Sequence, residues 1–216
     1  MNELRDIVIR KATLNDSEVI DRIQQRALEV LTNAEELDSV ALDELQENIR
    51  HGLMAVAEVD GVVAAFRTMH IPEEDYLGPY YGIEDAAAEG LIYSDITIVD
   101  PDYRGLSLQR RLGEWLFSKM GDYKIIMATV HPNNTPSLKD KFHLGMQVIA
   151  MDRLYGGKLR FIFMKDLMHE YTFFDAVHAN RHDEAHINML IKDGYRGLAL
   201  EGEDILFGKY STKSLG

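Results

Sequence analysis

Two hydrophobic periods alternate along the chain and predict a fold that mixes strands with helices. Runs of apolar and β-branched residues predict strands over residues 7–12, 53–59, 62–69, 91–99 and 124–130. Apolar residues recur at helical spacing on one face of a first helix, namely Val19, Ile20, Ile23, Ala27, Leu28 and Leu31. Thr13 and Asp16 mark its start, since a hydroxyl followed three residues later by a carboxylate is a capping signal. Further helices are predicted over 39–50 (beyond a polar break at 33–38), from Leu108 through Met120, and over 137–144.

Turn residues predict two hairpins. Asp60-Gly61 separates two of the predicted strands, and this dipeptide is among the strongest short hairpin signals. Gly156-Gly157 separates strands predicted over 146–155 and 158–166. Residues 71–90 form a long acidic and aromatic loop, and loops of this length in compact domains are often functional. The tyrosines of this loop either line a substrate pocket or belong to a surface flap; they are Tyr76, Tyr80 and Tyr81.

The pattern changes after residue 167. A short strand is predicted over 171–174, a helix over 183–192, and a last strand pair at 197–200 and 204–207. So short a segment cannot bury a secure core of its own. We therefore predict a main domain over residues 1–167 and a C-terminal extension over 168–216 packed on it. The predicted fold class is α/β (α+β), with a mixed, mostly antiparallel central sheet, helices on both of its faces, and a small C-terminal α/β extension.

Composition narrows the classes of partner. The formal net charge of −13 argues against nucleic acid. The chain has no cysteine, which excludes disulfides and thiol catalysis and favours a cytoplasmic setting. No apolar run reaches the length of about 18 residues that a membrane helix needs. The first residues also lack the basic-then-apolar order of a signal peptide. We therefore expect neither nucleic acid nor a membrane as a partner.

The turn after the strand at 91–99 is the main candidate for a ligand site. Pro101 ends the strand, because proline cannot donate a ladder hydrogen bond. The amides at the start of the next helix lack intrahelical partners, and together with the helix dipole they favour an anion such as a diphosphate. Arg104 could pair with a phosphate, and Gly105 lets the backbone approach one. The alternative is an ordinary strand-to-helix turn with a surface arginine.

Over about residues 7–167 the sequence resembles the GNAT (N-acetyltransferase) acyltransferase superfamily. Val99–Gln109, read as VDPDYRGLSLQ, resembles the acetyl-CoA diphosphate loop of that family. Val130–Ser137, with Leu144-Gly145-Met146, resembles the fifth strand and the helix after it. The order of the segments, including both hairpins, matches as well. Tyr155-Gly156-Gly157 followed by Arg160 resembles an uncharacterised bacterial-type branch, which does not name a substrate.

The resemblance implies acetyl-CoA as acyl donor, CoA as product, and a small-molecule or peptide amine as acceptor. A homodimer is compatible with it. Two backbone segments would hold the pantetheine arm and the diphosphate, and two side chains would lie near the pantetheine or the CoA phosphates. The implied cofactor residues are Ile98, Val99, Arg104, Gly105, Leu106, Ser107, Leu108, Gln109, Asn134 and Ser137.

The chain departs from the family pattern at three positions. Ser107 stands where a second glycine is usual, and Gln109 where a small residue is usual. Lys141 occupies the position of the tyrosine that protonates the leaving thiolate in many members, and the neighbouring Phe142 cannot replace it. This last departure keeps open a second function, that of a non-catalytic sensor or interaction module that binds CoA or acyl-CoA. Nucleotide binding at the same loop is a third hypothesis.

Acyl transfer to an amine needs a base, because a free lysine-type amine has a pKa of about 10.4. Asp95 in the strand at 91–99 and His131 after the next strand are the two candidates. Their structural alternatives are a capped, buried carboxylate and a histidine that stabilises a turn. Tyr155, Tyr93 or a water are candidates for the acid. A dedicated acid is dispensable if the CoA thiolate leaves unaided, since free thiols have pKa values of about 8.5.

Three histidines are spaced so that a continuous helix would carry them on one face. His178, His182 and His186 follow one another at intervals of four residues. Such a face could bind a divalent metal, but no cysteine supports it and Asn180-Arg181 indicates a break. We therefore interpret them as a solvated or half-buried set and predict no metal site.

Overall fold

The computed structural model describes residues 5–30 and 40–214, which fall into two compact units. One unit comprises Met1–His70 with Ser94–Met120, and the other Ile71–Tyr93 with Gly121–Gly216. Ten strands and five α-helices occur in the described residues, and most strand pairs are antiparallel, as the predicted fold class requires. The predictions on Leu31, on the polar break at 33–38 and on a helix start at Ser39 lie outside the described residues.

The first unit carries the N-terminal strands and three helices. Its strands are ordered β1-β2-β3-β4, and the β1–β2 and β2–β3 pairs are antiparallel. The strands are β1 (Ile7–Lys11), β2 (Met54–Val59), β3 (Val62–His70) and the later part of β4 (Leu91–Val99). The helices are α1 (Ser17–Glu29), α2 (Leu42–Arg50) and α3 (Leu108–Phe117). These bounds match the predicted order of elements.

Helices cover both faces of the sheet in this unit. Apolar side chains of α1 and α2 pack with Met54, Val56 and Phe66 on one face. Arg67, the next residue of β3, points to the other face, because successive side chains of a strand alternate. There its buried guanidinium lies 5.2 Å from the ring centroid of Phe117 in α3 and donates to Ser94 Oγ at 3.0 Å. The prediction of helices on both faces is confirmed here.

Local turn chemistry in the first unit follows the sequence closely. Asp60 and Gly61 both have positive φ, at 52° and 80°, as a two-residue hairpin turn of type I′ requires. At the start of α1, Asp16 accepts from the backbone N–H and the hydroxyl of Thr13 at 2.7 and 2.9 Å. Both predicted signals are therefore confirmed.

The second unit contains the remaining strands in the order β4-β5-β7-β6-β9-β10-β8. Leu91–Tyr93 of β4 run parallel to β5, and the other pairs are antiparallel. The strands are β5 (Ile125–Val130), β6 (Gln147–Leu154), β7 (Lys158–Asp166), β8 (His169–Asn180), β9 (Tyr195–Glu201) and β10 (Asp204–Ser214). The helices are α4 (Thr135–His143) and α5 (Glu184–Lys192).

The long loop after β3 covers one face of this second sheet. Leu77 and Ile83 of the loop are buried against Tyr93, Met127 and Met164. A short 3₁₀ turn at Gly78–Tyr81 gives the loop its only regular segment among the described residues. The loop is thus part of the core of its unit, which a mobile surface flap would not be.

The C-terminal segment extends the sheet. β9 pairs with β6 through Val148 and Gly197, where a Cβ on the glycine would lie 2.9 Å from the Cβ of Val148. β8 and β10 are longer than the predicted strands, because their polar residues pair with one another over ten register positions. The polar stretches carry no hydrophobic signal, so the sequence showed only their apolar centres. The division at residue 167 stays a prediction.

One predicted helix start is corrected, and the predicted break between the histidines is observed. α4 begins at Thr135, two residues before the predicted start, because Asn134 caps it and Pro136 is tolerated in a first turn. The three histidines do not share a helix face: His178 lies in β8, His182 in a turn and His186 in α5. No described helix is long and apolar enough to cross a membrane.

Candidate active site

The turn after β4 is fixed to α1 by a buried carboxylate. Asp100, 5% exposed, accepts from the amide of Asp102 at 3.0 Å and pairs with Arg26 Nη1 at 2.7 Å. Arg26 Nη2 pairs with the Asp102 carboxylate, also at 2.7 Å. The Asp100 amide donates to the carbonyl of Ala64 in β3 at 2.8 Å. Together, these bonds define the path of the backbone as it leaves the strand.

Two left-handed residues then turn the backbone into α3. Gly105 has a φ of +84°, and no atom lies within 4 Å of the position a Cβ would take. Ser107 has a φ of 57° and is the residue immediately before α3. The amides of the first helical turn have no intrahelical acceptors. The amides of Leu108, Gln109 and Arg110 therefore form the positive end of the helix dipole. Ser107, at the position where the resemblance places a second glycine, therefore adopts a left-handed backbone conformation.

All predicted cofactor residues of the first unit lie in this continuous stretch. The side chain of Ile98 is buried at 2% exposure, so the backbone of β4 rather than this side chain is what it offers to a ligand. Leu108 is buried to the same degree and anchors the start of α3. Arg104, Gly105 and Ser107 are exposed, while Val99, Leu106 and Gln109 are half-buried. The stretch is thus held by buried side chains at both of its ends and exposes backbone and polar groups between them.

The predicted residues at the start of α4 lie together in the second unit. Asn134 caps the helix by accepting the amide of Ser137 at 3.1 Å. His131 Nδ1 accepts the amide of Asn133 at 3.1 Å. A neutral imidazole whose Nδ1 accepts carries its proton on Nε2. Arg181 donates to the Thr135 hydroxyl at 2.7 Å, a contact that the sequence did not indicate.

Asp95 lies in a cluster with two groups that the sequence analysis missed. His70 Nδ1 is 3.4 Å from Asp95 Oδ2. One carboxylate oxygen of Glu44, one of Asp95 and one imidazole nitrogen of His70 all lie within 4.8 Å of one another. Burial lowers the pKa of His70, but the hydrogen bond and charge of Asp95 and the charge of Glu44 outweigh it. The net effect is a pKa above the usual 6.5. Asp95 is therefore a half-buried carboxylate beside a histidine that holds its proton more tightly than usual.

Tyr155 lies in the turn between β6 and β7 with a φ of 51°. Its hydroxyl is 2.9 Å from the hydroxyl of Tyr76 and 3.1 Å from Thr129 Oγ1. The Arg160 guanidinium lies 5.6 Å from the centroid of its ring. The predicted candidate acid is thus in a chain of hydroxyl groups beside a cation.

Tyr93, a second candidate acid, joins the long loop to β4. Tyr93 in β4 donates to Asp75 at 2.5 Å and accepts the amides of Tyr76 and Leu77. Burial, and then the hydrogen bond to Asp75, raise the pKa of the Tyr93 hydroxyl. A hydroxyl with three bonds and a raised pKa serves the loop, which weakens Tyr93 as an acid.

Tyr80 and Tyr81 are likewise engaged. Tyr80 donates to Asp152 at 2.5 Å, and burial together with this bond raises its pKa to about 12. Tyr81 donates to Asp166 at 2.7 Å, and burial is the first cause of the rise in its pKa. Among the loop tyrosines in the described residues, Tyr76 is the one joined to the Tyr155 hydroxyl.

Lys141 is buried in α4 at 4% exposure. Its Nζ is 3.8 Å from Asp140 Oδ2, and that carboxylate is also buried. The adjacent Phe142 packs edge-on against Phe163 at 5.1 Å between centroids. The residue at the usual tyrosine position is therefore an interior lysine with a carboxylate neighbour.

The site residues form two groups, one in each unit. Asp95, Ile98, Val99 and the segment 104–109 belong to the first unit, and His131, Asn134, Ser137 and Tyr155 to the second. Sequence reasoning missed Arg26, His70 and Glu44. The one available signal was His70, a polar residue directly after an apolar strand; the partners of the other two come from distant segments.

Comparisons with known proteins give structural neighbours only. No protein-family model and no curated protein sequence matches the chain. A Salmonella typhimurium protein described as an acetyltransferase and solved with its cofactor acetyl-CoA aligns at a TM-score of 0.58 with 18% identity. The alignment covers 74% of this chain and 94% of that one. A ribosomal-protein-alanine N-acetyltransferase of Brucella melitensis aligns at 0.58 with 19% identity, over 74% of this chain and 99% of that one. A GNAT-family acetyltransferase of Listeria monocytogenes aligns at 0.57 with 17% identity, over 74% and 95%. The chain therefore has the fold of the GNAT acetyltransferases.

Proposed function

We propose that the chain is an acetyl-CoA-dependent N-acetyltransferase that acts on a primary amine of a small molecule or peptide. The observation that carries the proposal is the turn after β4. Its two left-handed residues, Gly105 and Ser107, lead into the free amides of α3. The Arg26–Asp100 ion pair ties the start of the turn to α1. Backbone amides at a helix start suit a diphosphate, which CoA carries.

The chain's own groups would hold the donor in two ways. Amides from Arg104 to Gln109 would bind the diphosphate, and the backbone of Ile98 and Val99 would align the pantetheine arm. Asn134 is proposed to meet the pantetheine, and Ser137 to lie near the pantetheine or the CoA phosphates. Bound acetyl-CoA supplies a thioester, whose acetyl group passes to the neutral amine while the sulfur leaves as CoA thiol.

The proton of the amine needs an acceptor, and the Asp95–His70 pair is the better candidate. A carboxylate beside a histidine can orient the imidazole and stabilise its charged form. His131 is the weaker candidate, because its Nδ1 accepts the Asn133 amide and its Nε2 then holds the remaining proton. Proton removal by Asp95–His70 makes the amine nucleophilic.

Tyr155 is the proposed donor of a proton to the leaving sulfur. Its hydroxyl has Tyr76 and Thr129 as neighbours, so it can be reprotonated along that chain. Lys141 is buried beside Asp140 and is assigned a structural role. Since a CoA thiol needs little help to leave near neutral pH, we expect Tyr155→Phe to lower kcat only about 10-fold, less than the roughly 100-fold or more that a required acid contributes.

Release of free thiol from acetyl-CoA in the presence of an amine panel tests the activity. Mass spectrometry of the acetylated product is the second readout. Wild type should acetylate at least one amine, and Asp95→Asn should lower kcat by about 100-fold, the scale of a lost general base. Acetyl-CoA binding by calorimetry without turnover on any amine would favour the alternative, a CoA-binding sensor. Lys141 in place of the usual tyrosine is the observation behind that alternative.

A further inference from the structure

Arg160 is a buried cation that contacts no anion among the residues that the structure describes. The residue lies in β7 and is 5% exposed. Its Nη1 donates to the carbonyl of Leu159 at 3.0 Å, and its guanidinium lies 5.6 Å from the Tyr155 ring centroid. Within the part of the chain that the structure describes, no carboxylate is at ion-pair distance from it. Buried charges are normally paired, because desolvation of an isolated charge is costly.

The nearest acid by strand register is committed elsewhere. Asp152 is the cross-strand partner of Arg160 in the β6–β7 pair. Its carboxylate accepts from the Tyr80 hydroxyl at 2.5 Å and from the amide of Arg153 at 2.6 Å. The hydrogen bond from Tyr80 is the first cause that lowers the pKa of Asp152. The charge of Asp152 is thus stabilised without the guanidinium of Arg160.

Arg196, another buried arginine of the same unit, has more hydrogen-bond and ring partners than Arg160. Arg196 donates to Gln147 Oε1 at 2.9 Å and to the Tyr210 hydroxyl at 3.1 Å. Three tyrosine rings lie within 5.4 Å of its guanidinium carbon, namely Tyr81, Tyr171 and Tyr210. Among residues 5–30 and 40–214, Arg160 contacts one backbone carbonyl and one ring. Its remaining N–H donors are available to a ligand.

The groups around Tyr155 supply the rest of a carboxylate site. Tyr155, Tyr76 and Thr129 form a chain of hydroxyls with O–O distances of 2.9 and 3.1 Å. Guanidinium groups bind carboxylates through paired N–H bonds. The two bonds within the hydroxyl chain use two of its three protons, which leaves one O–H to donate to a carboxylate. One cation among neutral hydroxyls balances a monoanion, whereas a phosphate dianion would need a second cation.

We propose that Arg160, together with the hydroxyls of Tyr76 and Thr129 on either side of Tyr155, binds the carboxylate of the acceptor. The acceptor is then an amino acid or another amine that carries a carboxylate. This inference rests on the proposed acetyltransferase function and narrows its substrate class. Arg160, Tyr76 and Thr129 have no assigned part in the transfer itself, so binding and transfer can be tested separately.

The first experiment measures binding without catalysis. The twenty L-amino acids and their N-acetyl forms are titrated into the protein with CoA present, each beside its carboxamide. Wild type should bind at least one carboxylate probe ten-fold or more tighter than the matching amide. Arg160→Gln should reduce that affinity by about 10- to 100-fold, the scale of a lost hydrogen bond to a charged group. Arg160→Lys keeps the charge without the paired donors and should fall between the two.

The matched control is Arg153→Gln, which removes an exposed arginine from the same hairpin. Arg153 pairs with Glu184 at 2.9 Å, so its loss should leave carboxylate affinity unchanged. Far-ultraviolet circular dichroism checks that each variant folds. Because Thr129→Val changes one hydroxyl only, it provides a second, milder variant, with an expected loss of about 3- to 10-fold.

The second experiment measures transfer with the same matched pairs. A higher KM for carboxamides, with similar kcat, supports both proposals. Equal KM for acids and amides, or no binding of any carboxylate probe to wild type, overturns the carboxylate site and leaves acetyl transfer standing. Carboxylate binding that Arg160→Gln abolishes, with no acetylation of any amine, overturns the transferase proposal and leaves the carboxylate site standing.

Discussion

Asp16 holds three groups at the start of α1. It accepts from the backbone and hydroxyl of Thr13, and Arg10 donates to both of its carboxylate oxygens at 2.8 Å. The Arg10 bonds are the first cause that lowers the pKa of Asp16 to about 2. A carboxylate with a lowered pKa stabilises the folded state only while it is ionised.

Asp16→Asn should therefore lower the free energy of unfolding at pH 7 by about 1 kcal/mol, the usual effect of losing a cap. The stabilisation from Asp16 is fully present above the unfolded value of about 4. It should be lost as the pH falls through the folded value of about 2. Urea unfolding of both proteins between pH 2 and 7 measures this difference. Asp21→Asn on the same helix is the control, and a constant difference at every pH would contradict the account.

His70 offers a second pH-dependent test. Its raised pKa means that the stabilising effect of the Asp95 and Glu44 charges is fully present below about 6.5, the usual histidine value. This contribution should disappear as the pH rises through the raised value of the folded protein. In an NMR titration, Asp95→Asn should lower the pKa of His70. Glu47→Gln, which affects the ion pair with His51 instead, should leave it unchanged. An unaltered His70 pKa in Asp95→Asn would show that the pair does not interact.

At the scale of the element, the turn after β4 depends on a helix distant in sequence. Arg26 in α1 reaches the carboxylates of Asp100 and Asp102. The strand, the proline stop and the helix start could all be predicted, because each has a local signal. The ion pairs of Arg26 with Asp100 and Asp102, here called the clamp, could not be predicted. No local pattern shows which arginine of α1 meets a residue 74 positions away.

Loss of the clamp should loosen the turn before any ligand binds. Arg26→Gln should weaken CoA binding by about 3- to 10-fold, since an ordered site spares the cost of ordering it. Calorimetry with CoA measures the change. Arg22→Gln, an exposed arginine one turn earlier in α1, is the control. An affinity unchanged by Arg26→Gln would show that the turn orders itself.

The lack of a local signal for distant partners also explains the other differences between the predicted and the observed elements. Hairpins at Asp60-Gly61 and Gly156-Gly157 follow from residues that tolerate positive φ. The full length of β8 and β10 arises from pairing between polar strands, which hydrophobic patterns do not show. The regular spacing of the three histidines has no structural meaning, because they lie in a strand, a turn and a helix. Local chemistry could be predicted, and distant partners could not.

At the scale of the whole molecule, the C-terminal strands continue the sheet of the second unit. Gly197 is where β9 meets β6, and side chains of Val148 and Ile205 lie within 3.0 Å of where its Cβ would stand. Arg196, the preceding residue, is enclosed by tyrosines from the long loop, β8 and β10. The extension is therefore integrated through a close backbone approach and one buried cation.

Gly197→Ala should lower the free energy of unfolding by about 1–3 kcal/mol, the cost of overpacking a filled interior. Urea unfolding provides the measurement. Gly121→Ala, where no atom lies within 4 Å of the added Cβ, should change stability little and serves as the control. Equal effects of the two substitutions would show that β6 and β9 can separate without cost.

The most direct test of the account is calorimetry of CoA against pantetheine, which lacks the diphosphate and the 3′-phosphoadenosine, with ATP as the control for the adenine nucleotide. If the turn after β4 binds the diphosphate, CoA should bind at least 100-fold more tightly than pantetheine, since each hydrogen bond to a charged group contributes about 1.5–3 kcal/mol. ATP is added to exclude a general nucleotide site and should bind far more weakly than CoA. No heat with CoA, or equal affinity for CoA and pantetheine, would contradict the central claim.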